Sequence, residues 1–222
     1  MVTPFPGGVG ISGLRVYDWP AVDGVCGGSP HVHLACSEAY YVIAGTGSVQ
    51  TLTRSAFVET PLSEGVVAWF TPGTIHRLVN DGDLRIIVIM QNSGLPEAGD
   101  AVFTFPSEVL ADSVRYAECA RADDEESARK RRDLALEGFL ELRRGKPAAL
   151  ESFYRAAVRL KQDGLDAWEK RWREGALASA ERTGEHLERL RDGDIGHLVE
   201  ADVQVTHGKG PRLGMCGRLD VF

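Results

Sequence analysis

The stretch Pro30-His31-Val32-His33-Leu34-Ala35-Cys36-Ser37-Glu38, running on to Gly45, decides how this chain of 222 residues is read. His31 and His33 stand two apart, so on a strand both point to the same face. Glu38 follows five residues after His33, and beyond a tight turn the next strand can bring its carboxylate round to face them. Downstream come Gly65 and then Pro72-Gly73-Thr74-Ile75-His76, with Asn80 four residues after His76. The turn ahead of His76 starts a new strand whose first inward side chain can close the same site.

Working outward, residues from Val9 to about Phe105 alternate short apolar runs with turn residues. The candidate strands are Gly13–Tyr17, His31–Leu34, Ala39–Ala44, Ser48–Thr53, Ala56–Thr60, Val66–Phe70, His76–Asn80 and Leu84–Gln91. Breaks are expected at Gly45-Thr46-Gly47, Ser63-Glu64-Gly65, Pro72-Gly73 and Asn80-Asp81-Gly82-Asp83, the last carrying the Asp-Gly signal of a hairpin. Many short strands at this spacing indicate an antiparallel barrel or sandwich.

After Pro106 the period changes. Ser107 is placed to cap a helix reaching about Ala122, and Asp123-Asp124-Glu125-Glu126 puts acid in the first turn of another. Leu150, Phe153, Tyr154, Ala157, Val158 and Leu160 form an apolar helical face, and Leu165, Trp168, Trp172, Leu177, Leu187 and Leu190 continue the pattern. Three or four helices are expected over Ser107–Arg191. The tail alternates again over Leu198–Thr206 and Leu213–Phe222, as short strands that can return to the first sheet. The division expected is a barrel over 1–106, a helical extension over 107–192 and a β tail over 193–222.

The first of these segments resembles the cupin superfamily. His31, His33, Glu38 and Gly45 match its first motif, and Gly65, Pro72-Gly73, His76 and Asn80 resemble its second. Thr71 stands where many members have proline, and Val25 where a glycine is usual; neither is a ligand position. The resemblance implies an antiparallel β-barrel or jelly roll, mainly β, with the helices as an extension. It also implies a divalent metal held by His31, His33, Glu38 and His76. Three imidazoles and a carboxylate buried together are costly unless a cation satisfies them. Six-coordination of such a set leaves two adjacent open positions, which suits Fe(II) first, with Mn(II), Ni(II), Co(II) or Zn(II) as alternatives.

Other residues take lesser roles. Tyr40 shares strand parity with Glu38, so it can contact substrate or simply pack in the barrel. On the last long strand either Ile86, Val88 and Met90 or Arg85, Ile87, Ile89 and Gln91 face inward. Arg85 and Gln91 are therefore candidates for substrate recognition beside Tyr40. Arg77 is expected to face outward, Cys36 to be a small loop residue, and His186, His197 and His207 to face solvent unless the tail carries one of the last two to the barrel mouth. Arg129-Lys130-Arg131-Arg132 follows an acidic run, which suggests i,i+4 pairing along one helix.

The charge balance sharpens this reading. The net charge of −7 combines 25 basic with 32 acidic residues. Residues 1–106 carry only four basic residues, Arg15, Arg54, Arg77 and Arg85, against nine acidic ones and no lysine; residues 121–192 carry 17 basic and 16 acidic residues. An acidic barrel and near-neutral helices argue against nucleic acid as partner. A substrate carboxylate would have to lean on the metal or on one of those four arginines. The four cysteines have no CxxC spacing, and the start lacks a basic and apolar export pattern, so free thiols and a cytoplasmic setting are expected. The longest apolar runs are far short of the ~20 residues of a membrane helix. Function is expected to be that of an oxygenase on a small organic molecule. A redox-neutral isomerase or lyase and a ligand-binding sensor are the alternatives, and a homodimer is the expected assembly.

Overall fold

The computed structural model describes residues 5–145 and 147–222, so the first four residues of the start considered above lie outside it. Nine strands form, β1 (Gly10–Val16), β2 (His31–His33), β3 (Glu38–Leu52), β4 (Phe57–Ser63), β5 (Val67–Phe70), β6 (Ile75–Met90), β7 (Ala101–Phe103), β8 (Lys209–Leu213) and β9 (Gly217–Val221). All pair antiparallel, in the order β4-β3-β6-β1-β9-β8, with β5 on β3 and the pair β2–β7 attached to β6. β6 serves two neighbours besides β3. Its start meets β2 at His76 opposite His31, and its second half meets β1, with Ile86 opposite Leu14.

β3 and β6 correct two expected breaks. Each runs unbroken through its turn-like residues, and the pair shifts register between Val42 and Gly47. The Asn80–Asp83 stretch is a bulge. Asn80 Oδ1 accepts from the N–H groups of Gly82 at 3.1 Å and Leu84 at 3.0 Å, while its Nδ2 donates to the Val16 carbonyl at 3.0 Å. Opposite it, Gly45 has φ +77° and a Cβ there would overlap the Asp83 carbonyl. Bulges and hairpin turns call on the same short polar residues and positive φ values, so Asp-Gly alone does not separate them.

The barrel interior is apolar, filled by Leu14, Val42, Leu78, Leu84, Ile86 and Val88 around the buried Tyr40 ring. The parity question on β6 is thereby answered: Ile86, Val88 and Met90 face in. Arg77 corrects its expectation. It does lie on the face opposite His76, but only 1% of it is exposed, because the loop before β2 covers it. Its guanidinium donates to Asp23 at 2.6 and 3.2 Å and to the Val25 carbonyl at 3.4 Å.

Seven helices follow β7: α1 (Ser107–Leu110), α2 (Ser113–Ala120), α3 (Glu125–Arg144), α4 (Pro147–Lys161), α5 (Leu165–Trp172), α6 (Ala178–Arg191) and α7 (Gly196–Val199). The run expected from Ser107 to Ala122 is two short helices. Ser107 is their first helical residue and no cap, and Asp112 caps the second by accepting from Val114 and Arg115. α3 starts on a capping box in which Asp124 and Ser127 satisfy each other's backbone N–H groups. A π-helical turn at Arg173–Leu177 joins α5 to α6. The strand expected over Leu198–Thr206 does not form: α7 ends at Val199 and residues 201–208 are irregular. Val203 and Val205 are exposed, and alternation without a partner strand does not hold a strand in place.

The helices share a second core with the barrel's lower end, in which Val32, Ile75 and Val102 meet Leu136, Phe139, Leu150 and Phe153. Polar ties fix the docking. Thr104 Oγ1 donates to the Ala135 carbonyl at 2.7 Å, Tyr154 to that of Gly73 at 2.6 Å, and Trp168 Nε1 to that of Ala98 at 3.1 Å. Gly138 lets α3 lie against the Thr104–Phe105 backbone, where any Cβ would overlap the Thr104 carbonyl. The basic run splits its roles: Lys130 alone pairs with Glu126, Arg129 covers the Trp19 ring, and Arg132 donates to the Trp19 and Pro20 carbonyls. No described helix is long and apolar enough to cross a membrane.

Candidate metal centre

His31 and His33 come from β2, Glu38 opens β3 and His76 is the second residue of β6. All four are buried, and one ligand atom from each lies within 4.8 Å of every other. The tight turn between β2 and β3 exists because Asp100 accepts from the N–H groups of Leu34 at 3.0 Å, Ala35 at 2.7 Å and Cys36 at 3.3 Å. Glu38 is thereby returned to the face of the two histidines, as the spacing anticipates.

Each imidazole is aimed from behind. Nδ1 of His31 contacts the Ser29 carbonyl at 2.9 Å, that of His76 the Thr74 carbonyl at 3.1 Å, and that of His33 the Asp100 carboxylate at 3.0 Å. With acceptors at every Nδ1, the Nδ1 atoms carry protons and the three Nε2 atoms are turned toward one place. Nε2 of His76 lies 3.1 Å from Nε2 of His31 and 3.1 Å from Glu38 Oε2, which is 3.3 Å from Nε2 of His33. Glu38 Oε2 is nonetheless buried without a hydrogen-bond donor aligned on it. Three ring nitrogens and a carboxylate oxygen buried within 4.8 Å of one another make an N3O donor set that fits a divalent metal ion.

The electrostatics differ from ring to ring. Burial and the two neighbouring imidazoles hold His31 well below 6.5, in its neutral form. Burial works against charge on His33, but Asp100 and Glu38 on either side raise it to about 9. Burial also opposes the Glu38 charge, yet His76 and His33 hold that carboxyl well below its usual range. Asp100 is the residue that spacing does not reveal. It lies 67 positions from His33, and its only trace in the sequence is an acid just before the apolar Ala101-Val102-Phe103 run.

The centre opens into a cavity of about 480 Å³ lined by His31, His33, Glu38 and Tyr40 at the inner end. Tyr40 thus lines the cavity with its side chain buried. Arg85 and Gln91 are not: Arg85 is exposed and holds Asp83 at 2.7 Å, and Gln91 is exposed with Oε1 accepting from the Ser37 N–H. Both stand at outward positions of the pleat beside Ile87 and Ile89, so neither lines the cavity. Burial pushes the Cys36 thiol up to about 12 and Asn92 contacts its sulfur, so it is a packed turn residue. His186 and His197 stack on each other, and the tail reaches the cavity with Arg212–Cys216 rather than with His197 or His207.

Residues 23–90 match a family model described as a cupin domain, which covers under half of the 222 residues. Among solved structures, a Klebsiella pneumoniae protein with a double-stranded β-helix domain is 18% identical over 39% of this chain and 67% of its own, with a TM-score of 0.30. A Silicibacter pomeroyi sugar phosphate isomerase from a cupin superfamily is 21% identical over 38% of this chain and 51% of its own, TM-score 0.31. The Staphylococcus aureus capsular polysaccharide assembling protein CapF is 21% identical over 46% of this chain, TM-score 0.34, and this chain spans only 29% of it. No curated protein matches the chain.

Proposed function

We propose that this chain, whose residues 23–90 match the cupin domain model, is a metal-dependent oxygenase acting on a small organic molecule. His31, His33, Glu38 and His76 hold the metal, Fe(II) before Mn(II), Ni(II), Co(II) or Zn(II). When bound, the metal supplies Lewis acidity, a template for substrate and, as iron, redox chemistry. The chain's own contribution is orientation and exclusion of water. Asp100, Ser29 and Thr74 fix the three rings, and the apolar barrel wall, Leu14, Val88 and Met90, keeps the inner cavity dry.

The observation that carries this reading is the buried N3O set itself, four ligand atoms within 4.8 Å of one another with His31, His33 and Glu38 on the cavity wall, a set whose six-coordination would leave two adjacent positions open. Besides the ligands, the titratable side chains lining the cavity among the described residues are Tyr40, Glu97, Tyr116, Arg131, Lys161, Arg212 and Cys216. Burial pushes Tyr40 well above 10 and Tyr116 and Cys216 up to about 12, so these three side chains stay protonated at neutral pH. The direct test is anaerobic reconstitution with Fe(II), followed by oxygen uptake with a panel of small organic acids. Substrate-dependent uptake supports the oxygenase. Turnover without oxygen replaces it by the redox-neutral enzyme, and a ligand-dependent melting shift with no turnover replaces it by the sensor. A cytoplasmic setting belongs to the same proposal, in keeping with four free cysteines.

A further inference from the structure

The four arginines of the barrel segment do not serve the cavity. Arg15 is near Asp220, Arg54 pairs with Glu151, Arg77 with Asp23 and Arg85 with Asp83, and none of them lines it. The cations that do line it are Arg131 from α3, Lys161 at the end of α4 and Arg212 from β8, all outside the segment that matches the cupin family.

Arg131 is buried and Lys161 half-buried, and neither makes an ion pair among the described residues. Arg131 is 93% buried, given 7% relative exposure, and its guanidinium reaches only the Ala120 and Gly214 carbonyls, leaving Nε buried without a partner. Its carbon lies 5.2 Å from the centroid of Phe103, the residue paired with His31 across β2 and β7. Lys161 is half-buried with Nζ 5.3 Å from the Tyr116 centroid, and Tyr116 in turn accepts from the Phe103 N–H. Among the described residues, no carboxylate lies within ion-pair distance of either cation; Glu97, the other acid on the cavity wall beside Glu38, is exposed. Burial lowers the pKa of both cations, which is the cost of holding them there. A buried cation with unused donors is expensive unless something anionic meets it.

We propose that Arg131 and Lys161 form an anion subsite at the helical end of the cavity, which takes the carboxylate or phosphate of the small molecule whose other end faces His31, His33 and Glu38. This rests on the function proposed above and names its substrate class: a small organic anion. It also gives the helices and tail a task, since they bring to the acidic, lysine-free barrel the positive charge that it lacks. A guanidinium and an ammonium lining one cavity suit either oxyanion, the first as a planar fork and the second as a point charge.

The test is calorimetric titration of inorganic phosphate, and separately of succinate, into the full chain at low ionic strength, both as purified and after chelation. Chelation removes any anion binding that comes from a metal. Saturable binding of at least one anion is expected in both states, and which one binds separates a phosphate from a carboxylate ligand. Lys161→Met weakens it about tenfold or more, through loss of a charge-assisted contact. Because Arg131 also ties α3 to two carbonyls, Arg131→Lys is the second variant, and it weakens binding while keeping the charge and the fold. The subsite is overturned if neither anion binds saturably up to about 10 mM. It is likewise overturned if binding occurs only in the unchelated protein, or if both variants bind as the wild type does. Metal analysis of the same samples is independent, so failure of the metal reading leaves the chelated titration interpretable.

Discussion

At the floor of the cavity three imidazoles present Nε2 to one place because each Nδ1 is held by a fixed acceptor, and Asp100 does this for His33 while also folding the turn that returns Glu38. Asp100→Asn is therefore expected to lower metal affinity by about ten- to a hundred-fold, the range for partners that orient a ligand, as measured by competition with a chromogenic chelator. A second residue-scale prediction concerns Asp23 and Arg77. Burial opposes charge on Asp23, but the hydrogen bonds and charge of Arg77 outweigh it and hold the carboxyl below its usual value. A carboxylate lowered in the folded state contributes stability above its unfolded pKa, and that stability is lost as pH falls through the folded one. Urea unfolding should show stability declining below about pH 4, with a shallower decline in Asp23→Asn. Asp23→Ala leaves the Arg77 charge buried alone and is expected to cost about 3 kcal/mol at neutral pH.

At the scale of elements, the strands that carry the ligands were legible because HxH, the later glutamate and the Pro-Gly turn before His76 each impose a local geometry. The joins inside β3 and β6 were not. Asp81-Gly82 and Gly45-Thr46-Gly47 carry turn chemistry, and only the long antiparallel pairing of the two strands turns those residues into bulges. Arg131 was read as one member of a charge run, yet helical phase sends it and Arg132 inward while Lys130 faces water. Lys161 and Arg212 gave no sign of their place, since no local pattern records which helix end or tail strand meets a barrel mouth. Gly138 tests how α3 is seated. Gly138→Ala, which would raise helix propensity in isolation, is expected to destabilise the protein by about 2 kcal/mol in thermal or denaturant unfolding, because its methyl group overlaps the Thr104 carbonyl.

For the molecule as a whole, the outer face of the barrel leaves a run of apolar side chains in water. Tyr41, Ile43, Val67 and Trp69 are exposed there, with Trp69 at 73%, and among the described residues β5 pairs only with β3. We propose that this face and free edge meet a second copy of the chain, as expected of exposed apolar strands. Sedimentation is expected to give a dimer at micromolar concentration and a monomer for Trp69→Asp; a wild-type monomer contradicts it. The central claim concerns the buried His31, His33, Glu38 and His76 as a metal centre, and its most direct test is metal analysis of protein purified without an affinity tag and incubated with Fe(II), Mn(II), Ni(II), Co(II) or Zn(II). The account predicts about one tightly held divalent ion per chain, lost in a folded His76→Ala variant. A wild-type chain that retains none of these metals, or a His76→Ala chain that retains them equally well, would contradict it.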